Sequence, residues 1–239
     1  MSPENLCCSL YGRFVVLYHG DLRQYAFQME KTVLTFGDSN THGTPPMGSL
    51  DHHPRLSKRW PVIMAGAAGV TLIEEGLGGR LAAGHGDPIM GDHMNGQLGL
   101  WIALASHGPI DLLTIMLGTN DFQAHHGKTV DQIAGHMDGL LKIAQLPELQ
   151  DRHGGYEVLV IAPPPVKARG IFAPDFANAV VPSQSLGLLY AEIAQRRSMH
   201  FLDAGQHITS SDIDGIHFDE NAHATLGRAV ADQIKPFLI

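Results

Sequence analysis

At 239 residues, with 44% apolar and 17% charged side chains, the chain is long enough to bury a sizeable core as one domain and lies far from the composition of a disordered polymer. Its formal charge of -8, from 16 Lys and Arg against 24 Asp and Glu, comes without a basic cluster, which argues against a nucleic-acid partner. No stretch approaches the roughly 20 apolar residues that span a bilayer, so no membrane partner is expected either.

Residues 1–30 read as an N-terminal extension of unsettled structure, either a packing arm or a mis-assigned start upstream of Met29. They lack the basic start, apolar run and cleavage site of a secretory signal. Cys7 and Cys8 are adjacent and are the only cysteines, so they offer neither a disulfide framework nor a metal-site spacing and fit a reducing, cytoplasmic setting.

From residue 31 onward short apolar runs alternate with helix-length segments. A first strand is predicted at Thr32–Phe36, running into a loop over Gly37–Arg55, then a helix at about Leu56–Ala68. A second strand at Val70–Glu74 leads through a Gly-rich loop, Gly76–Asp92, to a helix at about Met94–Ser106. The third strand, Leu112–Leu117, precedes the loop Gly118–Thr129 and a helix at about Val130–Gln145; the fourth, Glu157–Ala162, precedes Pro163–Pro182 and a helix at about Ser183–Arg196. A fifth strand at His200–Leu202, a loop over Asp203–Asp219 and a helix at about Glu220–Phe237 complete the 31–239 domain. Such alternation implies an α/β fold with a mostly parallel sheet covered on both faces by helices and a ligand site at the carboxyl ends of its strands.

The loops carry the chemistry. Gly37-Asp38-Ser39-Asn40-Thr41 places a serine on a tight turn, and either that is only a turn or Ser39 is a nucleophile awaiting a base. Thr41 stands where the nucleophile elbow G-x-S-x-G needs glycine, which disfavours the α/β-hydrolases. Near the C-terminus Asp214 precedes His217 by three residues, close enough to accept its Nδ1–H and turn Nε2 toward a nucleophile; the bland alternative is a helix cap at Asp219 beside a solvated histidine. Oxyanion donors are available from the Asn120 carboxamide and from the backbone of Gly76-Leu77-Gly78-Gly79-Arg80, where Leu81 breaks a dinucleotide fingerprint.

Gly37–Asn40 (GDSN), Glu75–Arg80 (EGLGGR), Gly118–Asp121 (GTND) and Asp214–His217 (DGIH) stand in the order of the four blocks of the SGNH (GDSL-like) hydrolases, which the chain resembles over about residues 31–238. The wider phrases Glu74–Arg80, Ile115–Asp121 and Asp214–Phe218 look like its bacterial arylesterase/acyltransferase branch. The resemblance implies a three-layer, flavodoxin-like α/β/α sandwich on a five-stranded sheet, and a serine esterase acting on short-chain acyl or aryl esters, with acyltransfer to alcohols or deacetylation of a carbohydrate or metabolite as variants. It implies Ser39 as nucleophile, His217 as base and Asp214 as its orienter. The N–H groups of Ser39 and Gly79 and the Asn120 side chain would form the oxyanion hole, with no cofactor. Asn40 replaces the family's usual leucine, and Gly78 the branch's frequent serine, departures that bear on substrate preference. Whether Gly78 or Gly79 turns its N–H inward is open. Oligomers are common in this branch, and the long loops permit a homo-oligomer without fixing the oligomeric state.

Fifteen histidines invite a metal reading, but His52-His53, His85, His93 and His125-His126 lack the ligand spacing of a metal site, so none is expected. His223, inside the last helix, is expected at the surface. Leu77, Ile216, Phe172, Trp60 and Phe176 are candidates for either pocket wall or core. A flavodoxin-like binding module is the alternative from another class; it would leave Ser39, Asn120 and His217 no reason to converge.

Overall fold

The computed structural model describes residues 30–51, 54–84 and 90–238, with the backbone of residues 9–10 and 13–14. Most of the predicted N-terminal extension therefore lies outside the described residues, as do His52, His53 and His85. Within it, β1 (Ser9–Leu10) pairs antiparallel with β2 (Arg13–Phe14).

Five parallel strands form the central sheet: β3 (Thr32–Gly37), β4 (Thr71–Gly76), β5 (Leu112–Met116), β6 (Glu157–Ala162) and β7 (His200–Asp203), in the order β4-β3-β5-β6-β7. These are the five predicted strands, each shifted by no more than two residues at an end. The sheet is all parallel rather than mostly so. The chain leaves β3 to one side for β4 and to the other for β5, so the topological switch point, where a crevice opens at the carboxyl ends, falls at Gly37. Register aligns Gly37 with both Gly76 and Met116, which brings the loops after β3, β4 and β5 to one place.

The helices in chain order are α1 (Ser39–His42), α2 (Trp60–Ala68), α3 (Gly96–Ser106), α4 (Val130–Ala144), α5 (Pro147–His153), α6 (Ala173–Phe176), α7 (Val180–Ser183), α8 (Leu186–Arg196) and α9 (Glu220–Leu238). Alternate strand residues face opposite layers. Leu34, Phe36, Leu113, Ile115, Val158 and Val160 pack with Leu100, Leu104, Met137, Leu140 and Tyr190 of α3, α4 and α8. Val33, Leu112, Met116, Leu159, Ile161 and Leu202 face Trp60, Met64, Leu226, Val230 and Ile234 of α2 and α9. The result is the expected three-layer sandwich. No helix among the described residues is long and apolar enough to cross a membrane.

Two expectations are corrected and one open alternative is decided. Helix α2 begins at Trp60 rather than Leu56, with Pro61 in its first turn, where the missing N–H costs no helical bond. Trp60 and Phe176 are fully buried core residues, not pocket walls. His223 is not on the surface: it has no exposure, packs edge-on against Phe218, and its Nδ1 accepts the N–H of Trp60 at 3.2 Å. Arg59, the residue before α2, offers no side-chain cap, so a ring from α9 takes one of the N–H groups that a helix start leaves orphaned.

Burial pushes the His223 imidazole down to about 4 from its ordinary 6.5. Between those values the unfolded chain binds the proton and the folded chain does not, so stability is full above pH 6.5 and is lost as pH falls toward 4. At most about 3 kcal/mol is at stake. In thermal unfolding from pH 8 to pH 4, the midpoint should fall more steeply for the wild type than for His223→Gln; parallel curves would refute the assignment.

Candidate active site

Strand β3 ends at Gly37, and the chain turns at once into the single turn of α1. A Cβ on Gly37 would lie 2.1 Å from Thr41 Oγ1 and 2.8 Å from the Met116 carbonyl, so only glycine lets α1 fold back over the strand end. Asp38 caps α1 by accepting the Asn40 N–H at 2.9 Å, and Ser39 follows as its first residue. Ser39 is only 7% exposed, yet among the described residues its N–H makes no backbone hydrogen bond.

The Asp203–Asp219 loop brings the base. Gly215 holds φ at +83° with the Lys167 carbonyl against its α-carbon, a position that admits no side chain. That turn lets Asp214 Oδ1 accept the N–H groups of Ile216 (3.2 Å) and His217 (3.0 Å), while Oδ2 accepts His217 Nδ1 at 2.7 Å. His217 Nε2 then lies 3.0 Å from Ser39 Oγ. Asp219 also caps α9, accepting the Ala222 N–H at 2.8 Å, but His217 is not the solvated neighbour of that cap: it is 3% exposed. Burial pushes the Asp214 carboxyl up, but the His217 ring and the N–H groups of Met47 and His217 together outweigh it and hold the group below its ordinary range. Charge on Asp214 can thus stabilise an imidazolium formed when His217 takes a proton.

On the opposite side of Ser39 stands Asn120, 4% exposed, at the start of a short 3-10 turn after β5. Its Nδ2 donates to the Arg80 carbonyl at 3.1 Å and reaches Asp38 Oδ2 only at 3.4 Å, the limit of a hydrogen bond. Its Oδ1 accepts from Gln123 Nε2 at 3.3 Å, which sets the orientation of the amide. The second N–H is thus weakly engaged and free to take a stronger acceptor. Gly78 and Gly79 form a turn closed by the Arg80 N–H on the Leu77 carbonyl (3.1 Å), and among the described residues neither glycine N–H makes a backbone hydrogen bond. The Cβ position of Gly78 lies 3.9 Å from Ser39 Cβ, and that of Gly79 faces Met90 and Met94. Among the described residues the N–H groups of Ser39, Gly78 and Gly79 thus make no backbone hydrogen bond, and the Arg80 carbonyl, next along the chain from Gly79, holds the Asn120 amide.

Of the candidate pocket residues, Phe172 lies beside the site, its ring 6.0 Å from that of His217. Leu77 and Gly78 are partly buried. Asn40 is 2% exposed, and its amide donates to the Ile216 carbonyl at 3.0 Å, so it ties the serine turn to the histidine loop; Ile216 itself packs into the core. Among the described residues no group of three His, Cys, Asp or Glu side chains could hold a metal ion.

Several contributors had gone unremarked. The Arg80 guanidinium, 4.1 Å over the Phe36 ring, donates to the Gly37 carbonyl at 3.0 Å and to the Glu75 carbonyl. Asp121, fully buried, accepts the Ala82 N–H (2.8 Å) and Lys128 Nζ (2.7 Å), fastening the glycine loop to the Asn120 loop. Both lie inside the quoted blocks, Glu75–Arg80 and Gly118–Asp121, but nothing in the sequence pointed to a partner for either.

The family described as GDSL-like lipase/acylhydrolase matches residues 35–225. Among solved structures the chain is similar to Est24, a carbohydrate acetylesterase from Sinorhizobium meliloti, at 34% identity over 87% of this chain and 99% of that one, with a TM-score of 0.81. It is also similar to the native aryl esterase of M. smegmatis, at 33% identity over 87% of this chain and all of that one (100%), with a TM-score of 0.81. No curated protein matches.

Burial also pushes the Asp38 carboxyl up to about 6 from 3.8, against the lowering effect of the Asn40 N–H. The folded chain therefore keeps this proton where the unfolded chain has lost it, and stability falls as pH rises from 3.8 through 6. Asp38→Asn removes that titration. Its melting temperature relative to wild type should climb between pH 4 and pH 8, and a constant difference would contradict a buried, charged Asp38.

Proposed function

The chain belongs to the GDSL-like lipase/acylhydrolase family and is a carboxylic ester hydrolase, and we propose that Ser39 is its nucleophile, His217 its general base and Asp214 the residue that orients the base. The observation that carries this reading is the hydrogen-bonded line from Asp214 Oδ2 through His217 to Ser39 Oγ, at 2.7 and 3.0 Å. His217 Nε2 takes the Ser39 proton while Oγ attacks the ester carbonyl. The oxyanion receives the N–H groups of Ser39 and Gly79 and one N–H of Asn120. Collapse expels the alcohol with the proton held by His217 and leaves an acyl-enzyme; water, deprotonated by the same ring, releases the acid. An alcohol in place of water gives acyltransfer.

Short acyl or aryl esters are the proposed substrates, supported by the likeness to an aryl esterase. A second reading, deacetylation of a carbohydrate or metabolite, is favoured by the equal likeness to a carbohydrate acetylesterase. A cytoplasmic setting and a homo-oligomer belong to the same proposal. The first rests on the two cysteines and the second on Leu98, Trp101 and Ile102, exposed on one face of α3. Light scattering at the mass of a single chain would overturn the oligomer.

Hydrolysis of p-nitrophenyl esters from acetyl to octanoyl, with wild type beside Ser39→Ala, tests the reaction. Turnover should fall with chain length and vanish in the variant; equal activity in both proteins would remove Ser39 from the mechanism. Asn120→Ala should fold normally and lower kcat roughly 100-fold or more, the usual cost of one oxyanion donor.

A further inference from the structure

Asp214 Oδ2 accepts a second hydrogen bond besides that of His217: the backbone N–H of Met47, at 2.7 Å. Met47 lies in the loop after α1, 167 residues away in sequence. The chain reaches it through Thr44-Pro45-Pro46, and two successive prolines have fixed φ and no N–H, so Met47 supplies the first amide donor past a stiffened approach.

The same loop is anchored to the sheet at its far end. The Leu56 N–H donates to the Gly43 carbonyl at 2.8 Å and closes the loop at its neck. Arg55 donates to the His42 carbonyl and, through Nη2, to Glu74 Oε1 at 2.7 Å. Arg59 engages both carboxylate oxygens of Glu74, with Nε to Oε1 at 2.5 Å. Glu74 sits on β4, so one carboxylate joins the loop to a strand whose carboxyl end already borders the site.

We propose that the Met47 N–H is a positioning group for the triad carboxylate, and that the Glu74 fork with Arg55 and Arg59 holds the Met47 loop in place to serve it. The inference rests on the triad reading above. With donors on both sides of Oδ2, the carboxyl plane is fixed relative to the imidazole, and the Nδ1–H tautomer that leaves Nε2 facing Ser39 is kept. Without Met47, Oδ2 has only the His217 ring, and the carboxylate keeps three of its four hydrogen bonds, two of them on Oδ1, so its plane is held less firmly against the imidazole. Met47 itself touches no reacting atom.

Steady-state kinetics on p-nitrophenyl acetate test this with variants that separate the amide from the side chain. Met47→Pro deletes the N–H and should lower kcat on the order of 10-fold with KM within about twofold, as loss of a bond to a buried charge would. Met47→Ala, the conservative variant, keeps the donor and should retain at least about a third of wild-type kcat. Glu74→Gln and Arg59→Met loosen the fork and should lower kcat in the same direction, again without raising KM. A folded Met47→Pro protein as active as Met47→Ala overturns the proposal. If Met47→Pro does not fold, wild-type kcat in both fork variants overturns it instead. Ser39→Ala separates the two levels: activity in that variant defeats the triad reading, whereas an inactive Ser39→Ala beside a fully active Met47→Pro defeats only this inference.

Discussion

A carboxylate taken out of water must find its hydrogen bonds within the protein, and Asp214 finds four. Two come from its own turn, one from the His217 ring and one from the Met47 loop. Each donor arrives from a piece of chain that is itself fastened: the 211–217 turn by bonds to Ser211 and Lys167, the Met47 loop by the Glu74 fork. The direction of the imidazole, and so the distance from Nε2 to Ser39, depends on this one desolvated charge being held from every side.

The Asn120 side is built on the same principle with other acids. Asp121 pulls the glycine loop and the Asn120 loop together through Ala82 and Lys128. Arg80 contributes twice, its carbonyl holding the Asn120 amide and its guanidinium fixing the Gly37 carbonyl just ahead of the serine turn. Asp38 completes the set, at a cost: it caps α1 and faces Asn120, but burial works against its charged form. Keeping a carboxylate buried beside Asn120 gives up stability for geometry, as functional sites commonly do.

The sheet explains why these acids meet. Parallel register aligns Gly37 with Gly76 and Met116, so three loops leave from one level, and the switch point at β3 opens the space between them. Close contact then dictates sequence locally: Gly37 is glycine because Thr41 and the Met116 carbonyl occupy the space of a side chain, not because a turn there demands flexibility. Asn40 adds a further tie, since its amide donates to the Ile216 carbonyl and links the Ser39 turn to the His217 loop.

Much of this was written locally and could be read. Short apolar runs ending in Gly, Pro or Asp marked all five strands of the sheet: burial on both faces selects such runs in β3, β5 and β6, and the partly buried edge strands β4 and β7 carry shorter ones. Ser39, Asn120 and the Asp214/His217 pair stood out because each lies in a loop directly after a strand, and Asp214 and His217 interact across three residues. The start of α2, the burial of His223 and the core positions of Trp60 and Phe176 could not be read, because helix ends and burial depend on which element packs opposite. Nor could Met47, Glu74 or Asp121 be assigned. A backbone N–H has no letter in the sequence, and the bond from Met47 to Asp214 joins positions 167 residues apart. The sequence by itself determined the chemistry available and the succession of strands and loops along the chain that carry it. Only the tertiary structure decided which groups hold that chemistry still, because a buried charge is satisfied by whatever donor the folded chain brings within hydrogen-bond reach.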